Sequence, residues 1–428
     1  MKAAFYTLGC KVNQYETEEM TEQLIKNGFL IVDSKEDADV YIINSCTVTA
    51  ESNRKTRQAV RRFKANHPSS AVVLTGCVPQ AFPDEAAGLI QADIILGNKK
   101  NHMLASEIKR YFNTHSRIND IEDHQNHEKY SGGIITQFQG HTRAFVKIQD
   151  GCNRFCSYCI IPQARGRSRS KPMSDIKTEL HALAEKGFSE VVFVGINLSA
   201  YGHDTGTDIS EPIIAAENTD GIKRIRLGSL EPDHLTDGVI EKIASCSKFC
   251  PQFHISLQSG SDTVLKRMNR HYDSAEYERL AKKLRSTFSD CSLTTDIIVG
   301  FPGETDEEFN QTVKFAKRIG FEKVHVFPYS VREGTRAAKM PGQITQALKE
   351  KRAAELSKVC EKIRSEKFKE LEGKTFPVLF EKPKNGYQCG YTKNYTPVRV
   401  ESDECLTGKI ADVKITMANN DYCDAVLL

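Results

Sequence analysis

Twice along this chain, short apolar runs alternate with helix-length amphipathic stretches, the rhythm of parallel sheets whose strands are joined by helical crossovers. The first series places strands at residues 2–8, 40–44, 71–75 and 94–96, with helices predicted over 17–27 and 53–66. The second places strands at 144–148, 191–195, 224–227, 253–257, 293–299 and 324–327; six such units predict an open, partial parallel barrel. Between them, the chain from about His102 to Gln139 turns polar and irregular and reads as a connector. After a charged helix over about 345–370, period-two alternation at 376–380, 398–400, 410–415 and 425–428, with an Asn385-Gly386 turn, predicts a small antiparallel β-barrel. The fold class is therefore α/β with three domains, at 1–135, 136–365 and 366–428.

A chain of 428 residues, 39% hydrophobic and 27% charged, is that of a multidomain globular protein, with no apolar stretch approaching the ~18 residues of a membrane span. The N-terminus lacks the apolar run and small-residue cleavage site of a secretory signal, so a cytoplasmic location is expected. A formal charge of +3 decides little, because a basic face can hide inside a balanced total. Thirteen cysteines, an odd number, argue for metal ligands and reduced buried thiols over a disulfide framework.

Cys152, Cys156 and Cys159 form C-x3-C-x2-C directly after the first strand of the second series. Three thiolates at the C-terminal end of a barrel strand suit a 4Fe–4S cluster with one iron left open. Zinc would normally take a fourth nearby Cys or His, and none follows at ligand spacing. A second trio, Cys10, Cys46 and Cys77, is dispersed, but each member comes just after a predicted parallel strand, at the crevice where such sheets bind ligands. Singly, each reads as a small buried hydrophobe; three in equivalent places, two of them preceded by glycine, read as ligands. Cys246 and Cys250, at i,i+4, have no second pair nearby and read as core thiols, as do the rest.

Two basic segments are candidates for binding nucleic acid. Arg54, Arg57, Arg61 and Lys64 recur at helical spacing beside the loop presenting Cys46, which suits either a phosphate-binding stripe or an ordinary solvated face. Arg165 and Arg167, with Arg169 and Lys171, follow the C-x3-C-x2-C motif and suit either RNA or a cofactor carboxylate.

The cysteine spacing, with the aromatic Tyr158 before the third cysteine, resembles the signature of the radical S-adenosylmethionine superfamily. The resemblance implies that the open iron chelates S-adenosylmethionine and that the reduced cluster cleaves it to a deoxyadenosyl radical. The strand and turn at 296–304, containing Gly300 and Glu304, resembles that family's cofactor-contact motif. Gly195 and Asn197 stand where relatives carry a glycine-rich acidic motif, here with an amide in place of the acid.

Both trios in this order, with Gly9-Cys10-Lys11-Val12-Asn13-Gln14-Tyr15-Glu16 at the start, resemble the methylthiotransferases nearly end to end. Further matching strings lie at 224–232, which includes Ser229 and Glu231, at 254–261, which includes Gln258, and at 329–335; the first two add those residues to the implied cofactor contacts. The resemblance implies a second 4Fe–4S cluster on the first trio that carries the sulfur to be inserted, with one S-adenosylmethionine giving the methyl group and another the radical. The tail resembles the TRAM RNA-binding domain, whose Tyr387, Tyr391 and Tyr395 suit either base stacking or packing. The opening motif is most similar to the branch acting on N6-threonylcarbamoyladenosine (t6A) beside the tRNA anticodon; sister branches modify isopentenyladenosine or a ribosomal-protein aspartate. Partners implied are the tRNA anticodon stem-loop and an electron donor such as flavodoxin or ferredoxin, with no membrane. A threonylcarbamoyl substituent carries a carboxylate, so this branch calls for a basic residue near the site mouth. Readings of other classes are a two-cluster electron-transfer protein and a zinc and RNA-binding module.

Overall fold

The computed structural model describes residues 1–136, 138 and 141–428. The first sheet is parallel throughout, in the order β2-β1-β3-β4-β5-β6, formed by β1 (Lys2–Thr7), β2 (Leu30–Val32), β3 (Val40–Ser45), β4 (Ala71–Gly76), β5 (Ile94–Leu96) and β6 (Ile118–Asp120). Alternate residues of its buried strands face opposite layers. Val40 and Ile42 pack with Met20 and Leu24 of helix Lys11–Lys26 on one side, while Tyr41 and Ile43 pack with Val60 and Phe63 of helix Ala50–Asn66 on the other. The second of these helices starts where the Thr49 side chain accepts from the Ser52 amide.

Three elements differ from the sequence expectation here. The stretch from His102, read as an irregular connector, contains helix Leu104–Thr114 and β6, because Leu104, Ala105 and Ile108 supply an apolar stripe that completes the first layer. Its end at Gln139 lies outside the described residues. The edge strand β2 has only three residues, none of them fully buried, too short to show a period.

The central unit is an open arc of parallel strands. β7 (Ala144–Lys147) begins it, and β8 (Gln149–Asp150) pairs antiparallel with β9 (Arg169–Ser170) so that this small ribbon brackets the C-x3-C-x2-C loop. β10 (Glu190–Val194), β11 (Arg224–Leu227), β12 (Ser229–Leu230), β13 (Gln252–Ile255), β14 (Ser292–Val299) and β15 (Lys323–Pro328) complete the arc. β11 pairs with β10 and β12 with β13, so the one run from Arg224 to Leu230 carries the arc from a three-stranded to a four-stranded sheet. This gives the six-unit partial barrel read from the sequence. Capping boxes start the helices Ser274–Thr287 and Asp306–Ile319, and helix Gln346–Lys369 packs against the last strand. Val12 and Tyr15 of the first unit belong to the barrel's own core cluster, joining the two units through shared apolar packing.

The C-terminal strands β16 (Thr375–Phe380), β17 (Gln388–Thr392), β18 (Pro397–Val400), β19 (Ile410–Ala418) and β20 (Cys423–Leu427) close a barrel in the order 16-17-18-20-19. Its closure corrects one expectation: β18 and β20 run parallel, the other pairings antiparallel. No helix among the described residues is long and apolar enough to cross a membrane.

This small barrel docks at the end of the central arc where the strands begin. Arg224 and Arg226 donate to the carbonyls of Tyr391, Thr392 and Lys393, and Ser292 Oγ donates to the Asn394 carbonyl. Buried Glu190 holds both arginines, at 2.8 Å from Arg224 and 3.1 Å from Arg226. Replacing Glu190 with glutamine leaves two buried guanidinium groups without their shared anion. Glu190→Gln is expected to lower stability by about 3–5 kcal/mol, read as a drop in the urea midpoint; an unchanged midpoint would show that the carbonyls alone hold the arginines.

Candidate metal centres and the cavity between them

Cys10, Cys46 and Cys77 follow β1, β3 and β4, which are neighbours in the sheet, so the topology brings three thiols separated in sequence to one crevice. The glycines before Cys10 and Cys77 have φ of 115° and 92°, conformations that L side chains rarely adopt. A Cβ on Gly9 would lie 2.7 Å from Cys46 Cβ and 3.1 Å from Cys46 Sγ, so this glycine is what lets the first two cysteines approach. Asn13 ties the crevice together: it accepts from Cys10 Sγ at 3.3 Å and donates to the Ser45 carbonyl at 2.9 Å.

Cys77 touches a residue of the second unit. Arg165 Nε donates to Cys77 Sγ at 3.3 Å, and the guanidinium also grips Glu16. Arg165 is 1% exposed, which corrects its reading as an RNA contact: it sits in a buried ionic cluster with Glu16, Lys147, Asp150 and Arg169. Burial alone would raise the carboxyls of Glu16 and Asp150, but Arg165 and Lys147 hold both below their ordinary values. Burial pushes the Cys77 thiol up to about 12, with Arg165 pulling against it.

The second trio lies in the loop after β8. Its cysteines are partly buried, and segment 267–272 clamps the loop from outside. Ser157 N donates to the Met268 carbonyl at 2.9 Å, Asn269 donates to the Phe155 carbonyl at 3.2 Å, and Arg270 donates to Cys156 Sγ at 3.1 Å while pairing with Glu231. Burial pushes the Cys152 thiol up to about 11 and raises Cys159 further.

Five residues, the helix Ile161–Arg165, connect the two centres, with Cys159 just before the helix and the Cys77 partner Arg165 at its end. A second bridge comes from the 329–335 string and the turn after it: Arg332 donates to Thr47 Oγ1 at 2.8 Å, beside Cys46, and Ala337 N donates to the Ser157 carbonyl at 2.7 Å. Both trios therefore face one region between the first sheet and the barrel mouth.

The donor set fits a polynuclear cluster better than a single ion. Thiolates on one tetrahedral zinc, about 2.3 Å from the metal, stand roughly 3.8 Å apart. Among the described residues the one set of three metal-binding donor atoms all within 4.8 Å of one another is His254, Asp296 and His325, so neither trio is closed down to that spacing. All thirteen cysteines are free thiols, Cys246 and Cys250 buried in the core as expected.

The remaining candidates divide. Gly195 packs where a Cβ would lie 2.9 Å from Gln149 Oε1, the same atom that accepts from the Asn197 amide at 2.8 Å. Ser199 links Asn197 to the Glu231 amide, next to Ser229. Tyr158 lies edge-on to Phe301, and Gln258, at φ 67°, hydrogen-bonds across to β14. Glu304 is engaged within the protein: it accepts from the Gly300 amide at 3.0 Å and from Arg352 at 2.8 Å. In the basic stripe, Arg54 pairs with Glu51, Arg57 with Glu85 and Lys64 with Asp93, while Arg61 is exposed. Arg167 is exposed, its guanidinium 4.6 Å from the centre of the Phe155 ring. Tyr391 and Tyr395 stack on each other at 4.5 Å beneath Arg143, and Tyr387 lies under Arg399, so all three pack within the protein.

Residues missed by sequence reasoning include Arg270, Arg332 and Asn13, of which only Asn13 stood within a motif centred on a cysteine. Lys11 is a further one: its exposed side chain directly follows Cys10 at the start of helix Lys11–Lys26. Gly9→Ala is expected to reduce reconstituted iron from about eight to about four per chain, because the added Cβ displaces Cys46 and leaves the second trio intact. Full iron content in that variant would contradict the geometry given for the first centre.

Comparison with known proteins agrees with this arrangement. Residues 2–97 match the uncharacterized protein family UPF0004, residues 146–316 the radical SAM superfamily and residues 369–428 the TRAM domain. The chain is 37% identical to the threonylcarbamoyladenosine tRNA methylthiotransferase MtaB of Bacillus subtilis, covering 98% of this chain and 94% of the relative. It is 33% identical to a tRNA-2-methylthio-N(6)-dimethylallyladenosine synthase of Clostridium botulinum, covering 97% and 94%. Among solved structures, the radical S-adenosylmethionine methyltransferase TsrM of Kitasatospora setae shares the fold with a TM-score of 0.59 at 14% identity, covering 79% of this chain and 77% of that one. With relatives matched at 33–37% identity over nearly its whole length, this chain belongs to the radical S-adenosylmethionine tRNA methylthiotransferases.

Proposed function

We propose that this protein adds a methylthio group to C2 of t6A beside the tRNA anticodon. The observation that carries the reaction class is the helix Ile161–Arg165, which begins just after Cys159 and ends at Arg165 on Cys77, tying one cysteine trio to the other. The branch is supported by the opening motif with Lys11 and by MtaB relatives in Bacillus subtilis, Aquifex aeolicus and Thermotoga maritima, each 37% identical.

Cys152, Cys156 and Cys159 would hold the cluster that binds S-adenosylmethionine, and Cys10, Cys46 and Cys77 the cluster that donates sulfur. When bound, these groups supply a deoxyadenosyl radical, a methyl group and the sulfur to be inserted. The chain's own contribution is placement and electrostatics. Arg270 and Arg165 each donate to one cysteine sulfur per trio, and such hydrogen bonds tune a cluster's potential. Tyr158, Gly195, Asn197, Ser229, Glu231, Gln258, Gly300 and Glu304 form or support the S-adenosylmethionine side of the cavity. Arg54, Arg61 and Arg167 are the exposed cations we assign to tRNA phosphates. A cytoplasmic location and reduction by a flavodoxin or ferredoxin complete the reading.

Mass spectrometry of tRNA nucleosides from cells lacking the gene tests it. The methylthio form of t6A should vanish, return with the wild-type protein and stay absent with Cys46→Ala. Loss of methylthio-isopentenyladenosine instead, with the t6A derivative unchanged, would move the protein to the sister branch.

A further inference from the structure

Three adjacent strands of the central arc, β13, β14 and β15, each carry one metal-binding side chain on the same face: His254, Asp296 and His325. The opposite face of these strands is the apolar one. Ile255, Ile297 and Val299 belong to the core shared with the covering helices, and Val324 and Val326 pack against it. Because successive side chains alternate along a strand, His254, Asp296 and His325 line the inside of the arc. His325 stands directly opposite Asp296 in the strand register, and His254 opposite Thr294, two residues earlier on β14.

Each of the three offers one donor atom, and these atoms all lie within 4.8 Å of one another. His254 Nε2 is 3.2 Å from Asp296 Oδ2, a separation that suits two ligands each about 2.1 Å from one ion. The other ring nitrogen, Nδ1, lies 3.0 Å from Thr294 Oγ1, which accepts from Gln252 Nε2 at 3.1 Å. A metal-bound histidine normally has such a partner on its far nitrogen, which fixes the ring. A proton shared between His254 and Asp296 accounts for two members of the set and gives no reason for the third. His325 is exposed, its ring centre 6.0 Å from that of His254, so a turn of the ring closes the set without moving a strand. Among the described residues Asp296 pairs with no Lys or Arg, whereas Glu190 and Glu231 elsewhere in the arc are held by arginines.

We propose that His254, Asp296 and His325 form a metal centre separate from the cysteine trios, holding one divalent first-row ion on the inner wall of the arc. Two imidazoles and one carboxylate are the donor set of an open non-haem site. With all three ligands on one wall, the remaining coordination positions face the lumen. The set contains no sulfur, so it suits a lone ion and not an iron–sulfur cluster.

Mn2+ is the probe, because thiolate and sulfide compete for it poorly and the free ion gives a six-line electron paramagnetic resonance spectrum at room temperature. The holoenzyme, with its iron–sulfur clusters reconstituted, is titrated with Mn2+ without air. Wild type should remove one ion per chain from the free signal. Thr294→Val, which takes away the partner of His254 Nδ1, should weaken that binding by about 10- to 100-fold. His325→Ala should abolish it, and His325→Asp, which restores a ligand, should recover most of it. Equal iron content and an equal circular dichroism spectrum show that each variant is folded. Mn2+ that stays free throughout the wild-type titration, or a folded His325→Ala that binds as wild type does, would overturn the assignment.

Discussion

The buried ionic cluster of Glu16, Lys147, Asp150, Arg165 and Arg169 is the interaction on which the rest depends, because its members come from five separate elements. Glu16 belongs to the first helix, Lys147 to the first barrel strand, and Arg165 ends the helix that follows Cys159. Three cations face two carboxylates, leaving one positive charge, and Arg165 directs it at Cys77 Sγ. Buried charges are expensive unless closely matched. Bound to a metal as a thiolate, Cys77 would complete the matching, so the packing of the two units and the electrostatics of the proposed first centre are coupled through Arg165.

Strand order does the remaining positioning. Because β1, β3 and β4 are neighbours, three loops meet at one crevice; because β7 opens the arc, its cysteine loop lies at the arc's edge, next to that crevice. The small C-terminal barrel occupies the opposite end, where the strands start and Arg224, Arg226 and Ser292 grip its 391–394 loop.

Much of this was legible in the sequence, because alternation and cysteine placement are local signals. The six barrel strands and the strands carrying the first trio are apolar runs bounded by polar helices, and the second trio is a contiguous motif. What was not legible depends on long-range partners. Arg165 suits RNA or a cofactor carboxylate until Glu16, far away in the chain, is placed beside it, and Tyr391 and Tyr395 suit base stacking or packing equally until Arg143 is placed over them. The parallel pairing of β18 with β20 is a property of closure, and helix Leu104–Thr114 was hidden because its apolar stripe is set in a polar stretch.

The central claim, that both cysteine centres serve one cavity, is tested most directly by pulsed electron paramagnetic resonance on the reconstituted, reduced protein. A five-residue helix between Cys159 and the Cys77 partner, with ~1.5 Å rise per residue, sets a separation on the order of 10–15 Å. Strong dipolar coupling between the two paramagnetic clusters at that range is the expected result. A separation above about 25 Å, several times the length of that helix, would place the centres in different cavities and contradict the account.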